Sequence, residues 1–373
     1  MDFYFYLAQK TFLKRIIVSV TNDLSTDQRI DKVCNTLQKD GFKILLIGRK
    51  LKDSTFLDRN YATKRIRLIF NKGFLFYAEF NLRLFFILLF SKKDILLSND
   101  LDTLLPNFLI SNIQQKKLVY DSHELFPEIP ELVHRPFVKK CWSLLEAWIL
   151  PTLKNTYTVC ESIAAFYNNK YHTQFKTILN LPNRKKLELG SFPFQFQGKK
   201  IILYQGAINI GRGLELIIDT MQYLENCLLV IIGDGDIYTD LKLKVSNNNL
   251  NHKIYFLGKI APLKLHQLTP LANLGISLEE DLGLNYRFAL PNKIFDYIAA
   301  EVPIIVSDLP EMKQIAMNYN IGEIVENSDP KKLAKQIEEL LKKDFSKELK
   351  KAKQELVWEC QEKKLLAIFN HLK

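Results

Sequence analysis

The chain has 373 residues, of which 47% are hydrophobic and 25% are charged, and its formal net charge is +11. This length predicts two globular domains, and the absence of helix-turn-helix, zinc-finger and RNA-recognition signatures argues against nucleic acid as the partner of the positive charge. The five cysteines are scattered without a CxxC pair, which excludes a disulfide framework and favours a reducing compartment.

Short apolar strands alternate with helices through the first half of the chain. Strands are predicted over residues 15–20, 43–48, 95–98, 117–120, 156–159 and 177–179, and helices over 26–39, 104–113 and 161–170. This alternation is typical of a parallel, doubly wound sheet. The apolar run at residues 3–8 is too short for a signal peptide.

The most apolar run of the chain, Phe74–Phe90, has two interpretations. Three polar residues argue against a helix that spans a bilayer: Glu79, Asn81 and Arg83. We favour a buried crossover helix, and the alternative is an interfacial helix that lies against the membrane. Residues 1–183 contain 26 Lys and Arg against 17 Asp and Glu, which favours an anionic membrane surface or a polyanionic acceptor. We expect a cytoplasmic protein, with peripheral attachment to the inner face of the membrane left open.

The second half of the chain begins a new series of strands and helices after a linker at residues 184–198. Strands are predicted over 200–204, 227–232, 253–256, 274–277 and 304–306, and helices over 214–223 and 330–343. Residues 351–372 are predicted to form one long terminal helix. The expected organisation is a first domain over 1–183, a second domain over 199–350 and a terminal segment over 351–373.

Lys293 and Asp296 lie near the start of a helix predicted after Pro291. Asn292 is the expected cap of that helix, and the N-terminal end of a helix favours anions. The arrangement suits a phosphate held by Lys293 and ribose hydroxyls held by Asp296. The alternative is a surface ion pair between these two residues, three apart on one helix.

Two glycine-containing loops also follow predicted strands, where doubly wound sheets bind ligands. In the first loop, Gly206 and Gly211 let the backbone approach a ligand, and Arg212 is a donor for phosphate oxygens. The alternative is a flexible turn with a solvated arginine. The second loop begins at Gly233 and contains Asp234-Gly-Asp236, which we interpret as a turn rather than a metal site.

A third strand end places His123 between two carboxylates. Asp121 and Glu124 flank His123, and Asp100 follows the preceding strand. A histidine in this position can polarise or donate to a sugar or a phosphate, although a lone histidine is more often structural. A fourth polar loop, over residues 279–287, is a candidate sugar-binding segment and contains Glu280 and Asn285.

These segments, in this order, resemble the retaining family 4 type of the GT-B-fold glycosyltransferases over nearly the whole chain. The matching elements are the loop at 205–213, the loop at 233–235, Phe256-Leu-Gly258, the segment 293–303 and a terminal helix with Trp358. The resemblance implies two Rossmann-like domains that face a cleft, with the terminal helix crossing back to the first domain. It also implies metal-independent, retaining transfer of a sugar from a nucleotide-diphosphate-sugar donor, with no separate cofactor.

The resemblance also implies roles for individual residues. The second domain would bind the donor: Arg212 and Lys293 would neutralise its diphosphate, and Asp296 would hold its ribose. The first domain would bind a glycan or lipid-linked acceptor in cell-surface polysaccharide or glycolipid synthesis. His123 would lie across the cleft near the donor sugar or its phosphate.

The sequence departs from the family's E-x7-E motif. Asp296 stands at the second carboxylate, but Phe288 stands where the first glutamate is expected. Glu280, Asp281 and Asn285 are the candidates that could substitute, and the sequence does not choose among them. Two other functions stay open: a nucleotide-sugar epimerase on the same fold, and a non-catalytic sugar-nucleotide-binding partner.

Overall fold

The computed structural model describes residues 14–372 except 26, 130, 131, 133, 134, 187 and 197. The apolar run at 3–8 and the predicted helix start at residue 26 therefore lie outside the described residues. Contacts divide the chain into two units: Met1–Ile178 with Glu362–Lys373, and Leu179–Gln361.

The first unit is built on a seven-stranded sheet in which neighbouring strands pair in parallel, in the order β3-β2-β1-β4-β5-β6-β7. Its strands are β1 (Arg15–Asp23), β2 (Lys43–Arg49), β3 (Ala62–Ile66), β4 (Ile95–Asn99), β5 (Lys117–Ser122), β6 (Thr156–Thr158) and β7 (Lys176–Thr177). Its helices are α1 (Gln28–Lys39), α2 (Gly73–Phe90), α3 (Leu101–Ile113), α4 (Pro136–Ile149) and α5 (Glu161–Tyr171). The core strands are apolar on both faces because helices cover both sides of such a sheet.

The second unit is built on a six-stranded parallel sheet in the order β10-β9-β8-β11-β12-β13. Its strands are β8 (Lys200–Gln205), β9 (Cys227–Ile232), β10 (Ile254–Gly258), β11 (Leu274–Ser277), β12 (Ile304–Val306) and β13 (Gly322–Ile324). Its helices are α6 (Leu214–Thr220), α7 (Tyr238–Asn247), α8 (Pro262–Leu268), α9 (Leu284–Arg287), α10 (Asn292–Ala299), α11 (Pro310–Tyr319), α12 (Pro330–Leu340) and α13 (Ser346–Glu355). The last helix, α14 (Trp358–Asn370), begins in the second unit and ends in the first.

The sequence analysis gave no range for several elements of the structure: strands β3 and β13, and helices α4, α7, α8, α9 and α11. The two strands lie at sheet edges and are only partly buried, so they lack the apolar run that marks a central strand. The terminal segment was predicted as one helix, and the structure corrects this to two, α13 and α14, separated at Leu356 and Val357.

The segment predicted as a linker packs onto the second unit. Phe192 is buried in the core of that unit, and its ring stacks on Phe194 with a centroid separation of 5.3 Å. The ring of Phe194 in turn stacks on Tyr255 of β10 at 4.0 Å. Aromatic burial therefore fixes this stretch of backbone in spite of its Pro and Gly content.

Helix α2 is buried on one face only, which corrects the favoured interpretation of a buried crossover helix. Four of its side chains are buried: Phe76, Phe80, Leu84 and Leu88. The opposite face is exposed and equally apolar, with Phe74 and Phe90 each 82% exposed. By length and composition alone α2 is also able to cross a membrane. Only 22% of this helix is buried inside the protein. Soluble core helices pass the same test, so one such helix is weak evidence for a membrane span.

Gly275 in β11 provides a test of how closely α10 packs on the second sheet. An alanine methyl group at this position would overlap the ring of Tyr297, which is fully buried and donates to the carbonyl of Leu203 at 2.9 Å. Because the ring is held by its hydrogen bond, we expect Gly275→Ala to lower the free energy of unfolding by about 1–3 kcal/mol. Urea denaturation followed by circular dichroism measures this loss.

Gly190→Ala in the same unit is the control. The nearest atom to its added methyl group is the Cβ of Gln267 at 3.1 Å, so a shift of a few tenths of an ångström accommodates it. Equal losses in the two variants would show that the Tyr297 ring does not restrict position 275.

Candidate functional site

The loops that follow β8 and β9 lie against each other at one edge of the second sheet. The Gly206 N–H donates to the carbonyl of Ile232 at 3.0 Å, and the Ile208 N–H donates to the carbonyl of Asp234 at 3.0 Å. A Cβ on Gly233 would collide with the carbonyl oxygen of Gly206, and both glycines have positive φ. Only glycine permits this approach, so these two residues bring the loops together.

Three charged side chains meet at the same edge. Glu279 lies two residues beyond β11 and is buried, and its Oε1 is 2.7 Å from Nζ of Lys293 and 3.6 Å from Nη1 of Arg212. The Ser277 hydroxyl donates to the other carboxylate oxygen at 2.6 Å. Two cations therefore share one carboxylate, which leaves the cluster with one positive charge in excess.

The local environment determines the protonation states of this cluster. Burial favours the neutral form of Glu279, but the charges of Lys293 and Arg212 and the bond from Ser277 outweigh it and hold the pKa below its usual value. Burial also lowers the pKa of Lys293, against the opposing effect of Glu279. The carboxylate is thus ionised at neutral pH, and its charge favours the protonated form of the buried Lys293 against the effects of burial and of Arg212.

Arg212 keeps a binding capacity that its neighbours do not use. Its guanidinium carbon is 5.5 Å from the ring centroid of Tyr286, and the side chain as a whole is 28% exposed. Its Nε is buried without a hydrogen-bond partner among the described residues. Buried donors are normally paired, so an unpaired one beside excess positive charge favours an anionic ligand.

Asp296 faces the end of β8 rather than Lys293. Its Oδ2 accepts from the side-chain amide of Gln205 at 2.9 Å, and the amide oxygen of Gln205 accepts from Thr269 at 2.9 Å. The alternative of a surface ion pair between Lys293 and Asp296 is therefore wrong, because Lys293 is buried and pairs with Glu279.

The predicted cap of α10 is also wrong. Pro291 is the N-cap, and no side chain caps this helix end. The Asn292 side chain instead accepts from the amide of Asn180 at 3.0 Å.

The carboxylate of this cluster is one that the sequence did not single out. The side chain of Glu280 is exposed, and its N–H donates to the carbonyl of Gly211 at 2.9 Å, which holds the loop that contains Arg212. Asp281 is exposed and pairs with Arg287 at 2.7 Å, and Asn285 is half-buried in α9. Glu279 stands much further from Asp296 than the motif allows, so motif spacing could not identify it.

A second charged cluster lies at the corresponding edge of the first sheet. His123 follows β5, and its Nδ1 is 3.1 Å from Asp100 while its Nε2 is 3.0 Å from Asp121. Asp121 is buried and also pairs with Arg29 of α1 at 2.9 Å. The structure thus brings together three predicted residues, and Arg29 is a fourth that the sequence reasoning missed. Glu124 lies in the turn beyond His123, where its carbonyl accepts from the Ser122 hydroxyl at 2.9 Å.

Both ring nitrogens of His123 face carboxylates. Burial opposes its protonation, but Asp100 and Asp121 outweigh burial and raise its pKa well above the usual value. The ring is therefore an imidazolium at neutral pH, and both of its N–H groups are directed at carboxylates. A ligand oxygen can accept from this ring only by displacing a carboxylate, and Asp100 is the more exposed of the two.

Asp100 and Asp102 differ in backbone conformation and in burial. Asp100 has a φ of 58°, which is uncommon for a residue other than glycine, and its Oδ1 accepts from the N–H of His123 at 2.7 Å. Asp102 is buried in the first turn of α3 and accepts from the Thr21 hydroxyl. Burial and the neighbouring charge of Asp100 raise the pKa of Asp102 to about 8.

The acidic loop after β9 has the hydrogen bonds of a turn. The Asp234 carboxylate accepts from the N–H of Gly235 at 2.9 Å, and the N–H of Asp236 donates to Asn209 at 3.2 Å. Within the described residues no group of three or more metal-binding side chains occurs.

Known proteins resemble this chain in sequence over part of its length and in structure over nearly all of it. Residues 191–356 match a protein family described as "Glycosyl transferases group 1". The structure is similar to sucrose-phosphate synthase from Thermosynechococcus elongatus, with a TM-score of 0.79 and 15% identity over 96% of this chain and 99% of that one. None of the curated proteins matches the sequence.

Two further solved structures are similar. HepE of Anabaena in complex with UDP-glucose gives a TM-score of 0.72 and 12% identity, over 96% of this chain and 100% of that one. A putative UDP-N-acetylglucosamine 2-epimerase from Listeria monocytogenes gives a TM-score of 0.64 and 14% identity, over 96% of each chain. The predicted fold class, GT-B with two Rossmann-like units, is confirmed.

Asp102→Asn tests the protonation of the first cluster. The folded protein holds a proton on Asp102 up to about pH 8, whereas an unfolded aspartate loses it near about pH 4. The folded state therefore binds more protons between these values, and this group lowers the stability of the wild type as pH rises through that window. The variant cannot titrate, so its free energy of unfolding should rise relative to the wild type by up to about 1.4 kcal/mol per pH unit.

Urea denaturation of both proteins at several pH values between about 5 and 8 measures this difference. Asp58→Asn, at an exposed aspartate, is the control and should show no such trend. A difference between Asp102→Asn and the wild type that stays constant with pH would mean that Asp102 is ionised in the folded protein.

Proposed function

We propose that this chain, whose residues 191–356 match the family of group 1 glycosyl transferases, is a transferase that moves a sugar from a nucleotide-diphosphate-sugar donor to a glycan or lipid-linked acceptor. The observation that carries the proposal is the convergence of Arg212 and Lys293 on Glu279 at one edge of the second sheet. That edge is where open parallel sheets bind nucleotides.

Excess positive charge in the cluster supports a diphosphate as the group bound there. Glu279 neutralises one of the two cations and fixes both, so a diphosphate would meet ammonium and guanidinium groups that are already in position. During transfer the leaving nucleoside diphosphate gains negative charge, and preorganised cations stabilise such charge without further reorganisation. Arg212 and Lys293 thus supply in this chain the stabilisation that other transferases obtain from a metal ion.

Asp296 is the proposed ribose ligand. Its carboxylate stands half-buried at the end of β8 and is held by Gln205, so it has a fixed orientation toward a sugar hydroxyl. Gly206 and Gly211 allow the backbone of the first loop to approach the phosphates, and Gly233 keeps the neighbouring loop close. Because HepE, a protein of similar structure, has been solved in complex with UDP and with UDP-glucose, a uridine donor is the first to test.

The sugar-binding residues of the donor site and the residues of the acceptor site are assigned by residue type and position. Glu280 and Asn285, near the first loop, are the proposed contacts of the donor sugar. We assign the acceptor to the first unit. His123, whose ring is oriented by Asp100 and Asp121, is the proposed hydrogen-bond donor to the donor sugar or its phosphate. Retention of the anomeric configuration is part of the proposal, and no side chain is assigned as a nucleophile or base.

A nucleotide-sugar epimerase is the second candidate, because one similar structure is described as a putative UDP-N-acetylglucosamine 2-epimerase. The two candidates share a nucleotide-sugar substrate and differ in the need for an acceptor. An epimerase converts the donor alone, whereas a transferase releases nucleoside diphosphate as it forms a new glycosidic bond.

Removing either cation should weaken binding of nucleoside diphosphates. A charge-assisted hydrogen bond contributes about 1.5–3 kcal/mol, so Arg212→Ala should raise the Kd of UDP roughly 10- to 150-fold in isothermal titration calorimetry. Lys293→Met is combined with Glu279→Gln, because Lys293→Met alone would leave a buried carboxylate with less compensation.

Arg287→Ala is the matched control for Arg212→Ala. Arg287 is exposed in the same unit and pairs with Asp281, so its loss should leave the Kd unchanged. If Arg212→Ala and the Lys293 double variant both bind every nucleoside diphosphate as the wild type does, the phosphate assignment fails.

Turnover of the correct donor should require an acceptor. Candidate UDP-sugars are incubated with the protein and an extract that contains glycans and lipid-linked sugars, and NMR follows the anomeric signals. We expect a new glycosidic linkage with the anomeric configuration of the donor, together with release of nucleoside diphosphate. An altered sugar nucleotide in the absence of acceptor would instead establish the epimerase, and an inverted product would contradict retention.

A further inference from the structure

Helix α2 carries two apolar stripes on opposite faces. The inner stripe is buried and consists of Phe76, Phe80, Leu84 and Leu88. The outer stripe is exposed and consists of Phe74, Ala78, Leu82, Phe86 and Phe90. Each stripe repeats every four residues, and the two are offset by two residues, which places them on opposite sides of a helix. The outer stripe itself contains no polar residue, and the exposed Arg83 lies beside it, three residues before Phe86.

The exposure of the outer stripe is large. Its phenylalanine and leucine side chains are between 50% and 82% exposed, whereas monomeric soluble proteins rarely leave extended apolar patches uncovered. Helix α4 lies beside α2, since the rings of Tyr77 and Trp142 meet at 5.2 Å. It carries exposed apolar residues of its own, among them Phe137, Leu144 and Trp148.

Basic residues border these two helices. The stretch 67–92 holds four basic residues and one acidic residue, and the stretch 135–148 holds three basic residues and one acidic residue. The acid of the first stretch, Glu79, is occupied by Arg83 at 2.6 Å and by the backbone N–H groups of Ile69 and Phe70. The acid of the second stretch, Glu146, is buried. Lys139 of the second stretch pairs with Glu128 at 2.7 Å. The remaining basic residues make the surface around the outer stripe both apolar and positively charged.

The packing of α2 holds it on the first unit. The inner stripe is buried in that unit, and the side-chain amide of Asn81 donates to the carbonyl of Asp102 at 2.8 Å. Crossing a bilayer would break this packing and carry Glu79, Asn81 and Arg83 into hydrocarbon. Only the outer stripe is available, and a helix with one free apolar face and basic flanks lies in the membrane interface.

We propose that the outer stripe of α2 docks this protein on the surface of an anionic lipid bilayer, with α4 beside it. The apolar side chains enter the boundary between headgroups and acyl chains, and Arg67, Lys72 and Lys92 at the ends of α2 face the anionic headgroups. The inference is independent of the donor chemistry proposed above, because it concerns other residues.

A second copy of this chain is the competing occupant. Symmetric pairing through α2 would bring the same patch of each copy together, and with it the same basic residues. Like charges at such an interface oppose association, whereas anionic lipids complement them. The charge therefore favours lipid over a self-interface.

Vesicle binding by the full-length protein tests the proposal. Phosphatidylcholine vesicles with and without phosphatidylglycerol are mixed with the wild type at low and high salt, and bound protein is measured by cosedimentation. We expect binding to the anionic vesicles that weakens as salt is added, because screening reduces the electrostatic part of the interaction. The double variant Leu82→Glu/Phe86→Glu should bind at least about tenfold more weakly, since it places charges in the apolar face.

The control is Leu243→Glu/Leu263→Glu, which adds the same charge at two exposed leucines of the second unit, 58% and 69% exposed. It should bind vesicles like the wild type apart from a small effect of its charge, and both double variants should bind UDP like the wild type. No binding of the wild type to anionic vesicles would overturn the proposal. Equal binding by the two double variants would also overturn it. A wild-type dimer in analytical ultracentrifugation that Leu82→Glu/Phe86→Glu dissociates, with vesicle binding unchanged, would assign the surface to a second copy.

Discussion

The arrangement of the second unit's site depends on the burial of one ionised carboxylate. Glu279 is removed from water at the end of β11, and an unpaired buried charge costs several kcal/mol. Lys293 from α10 and Arg212 from the loop after β8 offset that cost, together with the hydroxyl of Ser277. Three chain segments that are distant in sequence are thereby held to a common point. The position of each cation follows from the carboxylate, not from a ligand.

Ion pairing also orients the charged groups of the first unit. Two carboxylates, Asp100 and Asp121, hold one imidazolium and one guanidinium, and Asp121 contacts both cations. Asp102, in the first turn of α3, is buried, and burial together with the neighbouring charge of Asp100 raises its pKa. Each edge thus keeps its charged groups oriented by internal pairing. A ligand that accepts from His123 competes with an existing ion pair, whereas an anion at the second edge meets a cluster with one positive charge in excess.

The sequence predicted the central strands and the strand-end loops because their signals are local. A continuous apolar run such as Cys227–Ile232 marks a buried parallel strand, and a glycine loop after it marks the ligand edge. Arg212 and His123 were found from such strand ends, and Lys293 was found from the helix start after Pro291. Glu279 was not, because its partners are brought to it by the sheet and no spacing in the sequence encodes them. The edge strand Ala62–Ile66 was missed for a related reason: half-exposed, it has no apolar run to detect.

Helix α2 shows why an apolar pattern alone could not decide between burial and a membrane surface. Its inner and outer stripes are equally apolar, so periodicity identifies a helix but not which face the protein covers. The deciding information lies in the partners of its polar residues. Asn81 and Glu79 bind groups of the first unit, which fixes the rotation of the helix and leaves the outer stripe uncovered. The polar contacts of an apolar helix therefore determine which of its faces stays exposed and available to a membrane surface.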